Sequence, residues 1–199
     1  MIEEISIEVI RQYFQGHGYT PVLIDAHSLP QGMKSPDIEV KEGEEVVFYC
    51  EVKTPVLKEH EKAELFHWTA SHSKLRALIH KAVIQLHSYD PEHAKPWVVA
   101  FNSDNFQLNW KNFEECLHGA EESETLLIKD LGDPQFILDT NKDMKEVDLF
   151  LWNQIDPAEN KMYQSVQFIN PESNLMEEVK IIGKRLMPYK DEEIQSGTS

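Results

Sequence analysis

The sequence predicts an α/β fold built on a mixed sheet. Three observations lead there: an amphipathic opening segment at helical period, a β-hairpin pattern around Gly43, and a second amphipathic segment that gives way to an unbroken apolar run. In residues 3–15, Ile2, Ile5, Val9 and Tyr13 recur on one helical face, and Gly16 and Gly18 follow as terminators. TPVLID over 20–25 predicts a short strand, and HSLPQGMKSP is a turn-rich connection. Residues 37–53 carry the hairpin. DIEVK is its first arm, EGEE its turn and VVFYCEVK its second arm, with β-branched and aromatic residues favouring strands.

The connection over 54–71 is long and polar, with a helical turn expected in KEHEKAELFHW. Residues 73–89 then predict a strong helix, on which Leu75, Leu78, Ile79, Ala82, Val83 and Leu86 share a face. Pro91 ends it, and PWVVAF over 96–101 predicts a buried strand. Beyond Asn102 the pattern is weaker. NFQLNWKNFEECLHG and PESNLMEEVKIIGKRLM are expected as helices. TLLIKD, QFILD, VDLFLW and MYQSVQFI are candidate strands, and PYKDEEIQSGTS is expected as a frayed tail.

A length of 199 residues suits one domain, or one domain with an added lobe. No apolar run is long enough to span a bilayer, and the acidic start lacks the pattern of a secretory signal. The two cysteines, Cys50 and Cys116, have no CxxC spacing. A reducing, cytoplasmic setting is expected. The net charge of -16 weighs against general nucleic-acid binding, which depends on Lys and Arg neutralising phosphates. That charge is unevenly spread. Residues 96–199 hold nine basic and twenty acidic side chains, a net of -11, whereas residues 34–95 hold nine and eleven, a net of -2, with six of the nine histidines.

The balanced middle carries the candidate chemistry. Phosphodiester hydrolysis needs a divalent ion, an activated water and positive charge for the developing phosphorane. Magnesium takes one or two carboxylates plus water and substrate oxygens. Asp37 opens the hairpin, and Glu51 and Lys53 lie near its end. Residues two apart on a strand share a face, so Glu51 and Lys53 point one way and Val52 the other. Pairing of the two arms brings Asp37 toward them. A Glu-x-Lys pair alone is common on solvated edge strands, but the preceding Ser-Pro-Asp and the apolar VVFYC beneath the charged tip add weight.

SPDIEV followed by FYCEVK resembles the signature of the PD-(D/E)XK nuclease superfamily, with Pro36 and Asp37 matching the proline-aspartate and Glu51, Val52 and Lys53 the (D/E)XK. The resemblance implies a restriction-endonuclease-like core over 1–101, in which a mixed central sheet is flanked by helices. An acidic C-terminal α/β extension over 102–187 and a tail over 188–199 would complete the chain. It implies that Asp37 and Glu51 hold Mg²⁺ or Mn²⁺ and that Lys53 orients water or stabilises charge. QLHSY places Gln85 and Tyr89 at the Q-x-x-x-Y spacing, similar to the exonuclease-like branch of the superfamily, which includes lambda exonuclease and the nuclease domains of recombination helicases. An i,i+4 pair lies on one helix face. Lys74, Lys81, Gln85 and Ser88 form a stripe that can look into the hairpin cleft. Lys74, Lys81 and Tyr89 are the expected substrate contacts, joined by Lys58 and Lys62. In many members a first-helix glutamate reaches the metal, and Glu8 is the expected one here.

The histidines invite a zinc reading, but His80 and His87, like His60 and His67, are seven apart, and no close pair or cysteine partner accompanies them. Solvated histidines are the simpler reading. Of the tryptophans, Trp68 stands out in the polar connection. The expected activity is metal-dependent hydrolysis of DNA, exo- or endonucleolytic, with single strands or free ends favoured and the acidic half limiting access to one entry. The competing expectation is a non-catalytic module of the same fold whose acidic surface contacts a basic protein partner or mimics nucleic acid.

Overall fold

The computed structural model describes residues 2–56, 68–105, 108–122 and 141–187. Helix α1 (Ile2–Gly16) leads into strand β1 (Thr20–Leu23), and β2 (Ile38–Glu42) and β3 (Glu45–Lys53) form the hairpin. Then come α2 (Trp68–Tyr89), β4 (Trp97–Ser103), α3 (Trp110–Glu122), β5 (Leu149–Asp156), β6 (Lys161–Ile169) and α4 (Met176–Arg185). The six strands form one mixed sheet in sequence order. β3, β4 and β5 run parallel, while β1–β2, β2–β3 and β5–β6 are antiparallel. This is an α/β fold with a six-stranded mixed sheet flanked by helices. The residues after 102 contribute β5 and β6 to that sheet and α4 to one of its faces. The candidate strands TLLIKD and QFILD, Lys58, Lys62, His60, His67 and the tail lie outside the described residues. So does the side chain of Trp68.

The hairpin turn has a local cause. Glu42 pairs with Glu45, leaving Gly43 and Glu44 as a two-residue loop, and Gly43 has φ +61°. A positive φ at the first central position is the demand of a type II′ turn, which glycine meets without steric cost. β4 is buried at all seven positions because it is central and covered on both sides. Its alternate residues feed two cores. Val99 and Phe101 pack with Phe150, Trp152 and Phe113 under α2 and α3, while Val98 and Ala100 pack with Leu149, Leu151, Phe48 and Cys50 under α1 and α4.

The first helix is rotated relative to the expected face. Ile10 and Phe14 are fully buried, with Phe14 edge-on to Phe48 at 5.2 Å. Val9 of the expected face is buried with them and Tyr13 packs against the same core, so the buried face overlaps the expected one and extends round to Ile10 and Phe14. None of the described helices is long and apolar enough to cross a membrane.

Candidate active site

The hairpin register places Asp37 one residue before β2, directly across from Glu51, since Ile38 pairs with Cys50. Asp37 is pinned there by its own backbone and side chain. Its carbonyl accepts from Ile24 N at 3.0 Å, and its Oδ2 accepts from Val52 N at 2.8 Å. On the neighbouring central strand side, Glu51 pairs with Val99 and Lys53 with Phe101. Glu51 and Lys53 therefore stand on the sheet face covered by α2.

Helix α2 brings in Gln85. Lys53 Nζ donates to Gln85 Oε1 at 2.8 Å and also to Glu51 Oε1. Gln85 Nε2 in turn donates to Ser35 O at 3.2 Å. The amide therefore fixes the lysine on one side and the loop before Asp37 on the other. A second tie, Lys34 N to Ser88 Oγ at 2.9 Å, holds the same loop to the helix. The structure thus brings Asp37, Glu51, Lys53 and Gln85 together.

The electrostatics are those of a crowded pair of carboxyls. Glu51 is 1% exposed. Burial first, and Asp37 second, push its carboxyl up from 4.5 to about 8, against the opposing pull of Lys53. Asp37 is also raised, chiefly by burial, although Val52 N and Lys53 favour its charged form. Glu51 Oε2 is buried without a hydrogen-bond donor. Two carboxyls that face each other at low dielectric require a proton or a cation between them. The pair therefore fits a divalent ion by the chemistry of its donors. Two carboxylates also suffice for magnesium, which keeps its remaining positions for water and phosphate oxygens.

An open cleft of about 570 Å³ adjoins this cluster, lined by Lys34, Ser35, Asp37, Lys81, Ile84 and Gln85 among others. Lys81 is exposed on its wall, as the stripe on α2 predicts. Lys34, in the Gly-Met-Lys-Ser loop, lines the same cleft and carried no signal in the sequence. The other expected contacts lie apart from the cluster. Lys74 reaches Val56 O. Tyr89, one helical turn below Gln85, donates to Glu39 Oε1 at 3.1 Å and meets the Tyr49 ring edge-on at 5.2 Å. Its phenol is pushed up to about 12 by burial and by Glu39. Tyr89 thus ties α2 to the hairpin.

Glu8 accepts from Gln12 Nε2 at 2.9 Å and pairs with Arg11 at 2.9 Å. Glu3, exposed on α1, adds the smallest of the influences on Asp37, an upward push by its charge. At about 100° per residue, Glu3 lies roughly 20° from Ile10 around the axis and Glu8 roughly 160° away. The same face carries Ser6, which accepts from Thr54 Oγ1 at 2.8 Å and, through its carbonyl, from Asn102 Nδ2 at 2.8 Å. These bonds tie α1 to the chain just past Lys53. Sequence reading missed Ser6 because a serine on a helix carries no apolar signal of burial.

The histidines of α2 separate. His80 Nδ1 pairs with Asp143 at 2.7 Å, and the His87 ring lies against Trp97 at 6.1 Å. Among the described residues no three His, Cys, Asp or Glu side chains converge on one point. Burial pushes the Cys50 thiol up, on the core side of β3 away from the carboxyls. Compared with protein-family models, curated proteins and solved structures, this chain matches none.

Proposed function

We propose that this chain is a Mg²⁺- or Mn²⁺-dependent deoxyribonuclease with a restriction-endonuclease-like core of the PD-(D/E)XK kind. One observation carries the reading: Asp37 and Glu51 stand across one strand pair, with Lys53 bonded to both Glu51 and Gln85. A solvated charged edge has no need to bury a glutamate to 1% exposure beside a second carboxyl.

Asp37 and Glu51 would hold the ion, and the chemistry such an ion supplies is Lewis-acid polarisation of the phosphate and a nucleophilic water at neutral pH. The chain's own residues do the rest. Lys53, whose side chain is only 13% exposed, presents a fixed positive charge to the phosphorane oxygens as negative charge builds there. Gln85 holds that ammonium on station, so little reorganisation is needed during the reaction. Val52 N keeps Asp37 Oδ2 oriented. Lys34 and Lys81, on the walls of the adjoining cleft, neutralise flanking phosphates.

Labelled single-stranded DNA, duplex DNA and RNA, incubated with Mg²⁺, Mn²⁺ or EDTA, test the proposal. Metal-dependent cleavage of DNA is expected from the wild type and not from Lys53→Ala. Absence of cleavage across the whole panel, with the protein folded, would overturn the catalytic reading in favour of a binding module.

A further inference from the structure

A second cleft, of about 620 Å³, opens at the other side of the sheet's C-terminal end. Asn109, Trp110 and Lys111 at the start of α3 line it, together with Gln154 at the end of β5 and Tyr163 and Gln164 on β6. Its two aromatic rings each carry an ammonium. Lys111 Nζ lies 5.6 Å from the centre of the Trp110 ring, and Lys161 Nζ lies 5.7 Å from that of Tyr163. Tyr163 is 53% exposed on β6, the edge strand of the sheet. Its hydroxyl donates to Asp156 Oδ2 at 3.0 Å, which fixes the ring's orientation. Trp110 packs at the margin of the core, so its ring is held as well. Of the remaining lining groups, Gln154 Nε2 donates to Ser103 O at 2.8 Å and Asn109 Oδ1 accepts from Lys111 N at 2.9 Å, so Gln164, exposed on β6, is the amide that faces the cleft with its donors and acceptors.

The cleft's position relates it to the catalytic cluster. Lys53 pairs with Phe101, and Phe101 with Trp152, two residues before Gln154. Gln154 therefore shares the sheet face of Glu51 and Lys53. Two strand spacings and two residues of rise put its Cα roughly 12 Å from that of Lys53. At a rise of about 3.4 Å per stacked nucleotide, that distance corresponds to about three to four nucleotides.

Rings with cations beside them and an amide between them are the composition of a single-strand binding platform, where bases stack on aromatics and ammonium groups meet the backbone. We propose that this cleft binds a base of single-stranded nucleic acid by stacking on Trp110 and Tyr163, with Lys111 and Lys161 on the adjoining phosphates. The proposal rests on the nuclease reading for its role, which is to anchor the strand that is cut at Lys53. It gives the chain an aromatic foothold with two lysines outside the near-neutral segment of 34–95, with Asp156 and Glu159 beside Tyr163.

The test is fluorescence anisotropy with labelled oligothymidylates of about 2 to 12 nucleotides, in EDTA to prevent hydrolysis. Wild type is compared with Tyr163→Ala and Trp110→Leu, each checked for an unchanged circular dichroism spectrum. The expected result is a loss of roughly 5- to 100-fold in affinity for either variant, from one stacked base. The loss should appear only for oligomers of about four nucleotides or more, and be small on blunt duplex. Tyr163→Ala tolerates surface exposure, so it keeps the test valid if Trp110→Leu fails to fold. Hydrolysis of a small phosphodiester with no base, bis(p-nitrophenyl) phosphate, should be unaffected in Tyr163→Ala. Equal affinity of Tyr163→Ala and wild type, or an equal loss on duplex, would overturn the proposal. A wild type that binds single strands through Tyr163 but never cleaves them would leave this site standing while the nuclease reading falls.

Discussion

Replacing Glu51 by glutamine should stabilise the fold at neutral pH while removing its metal response. The side chain is buried, and its carboxyl is pushed up from 4.5 to about 8 by burial and by Asp37. Between those values the folded protein holds a proton that the unfolded chain has released. Stability therefore falls as pH rises through this window, by about 1.4 kcal/mol per pH unit. By pH 7 the accumulated cost is roughly 3 kcal/mol. Glutamine is a permanent mimic of the protonated form: its oxygen can accept from Lys53 and its amide can donate toward Asp37. It carries no charge to bury. For a chain of this size that gain corresponds to a rise of about 6–12 °C in Tm. The assay is thermal unfolding of both proteins in EDTA from about pH 4.5 to pH 8. The two should converge at the acidic end, and the glutamine variant should lead by a growing margin toward pH 8. Saturating Mn²⁺ should raise the wild type's Tm, by about 2.7 kcal/mol equivalent at a hundredfold excess over Kd, and leave the variant unmoved. A Glu51→Gln protein that is equally or less stable than wild type at pH 8 would refute the buried-carboxyl reasoning.

Three further outcomes follow from the same geometry. Lys53→Ala should cut DNA at least about 10²-fold more slowly, the usual cost of one transition-state charge contact, while its circular dichroism spectrum stays that of the folded wild type. Gln85→Ala should lower kcat more than it raises KM, because it frees the Lys53 ammonium without touching substrate; steady-state kinetics on a labelled oligonucleotide separate the two. Binding of Lys53→Ala protein to single strands should show a shallow salt dependence, a slope of about −2 to −4 in log K against log salt, as expected for the few lysines near the two clefts. A steep slope on plain duplex would reveal a basic surface not identified here.

The hairpin was legible because three local signals agreed: strand-forming arms, a glycine at the position that needs positive φ, and Glu51 and Lys53 at period two. Asp37 could be placed near them from the arm lengths alone. Gln85 was legible as part of a polar stripe on a well-patterned helix. The first helix was legible in its extent, and Val9 and Tyr13 of the expected face do pack in the core, but the fully buried positions, Ile10 and Phe14, were not, for a physical reason. Its apolar residues fit two faces about 100° apart, and only packing of Ile10 and Phe14 on Phe48 decides which is fully buried. Lys34 and the Trp110–Tyr163 cleft were beyond the sequence for another reason. They are assembled by tertiary contact between segments with no periodicity linking them. Tyr163 and Trp110 reach one cleft only because β6 returns alongside β5, with Gln164 opposite Gln154.

The central claim is that Asp37 and Glu51 form one divalent-metal site. Calorimetric titration of Mn²⁺ into the wild type and into Asp37→Ala, repeated in two buffers of different ionisation heat, tests it most directly. The expected result is a bound ion in the wild type, with a proton released from Glu51 when the titration is run at pH 7, below its value of about 8. Binding should be lost in Asp37→Ala. Equal binding by the two proteins would contradict the account.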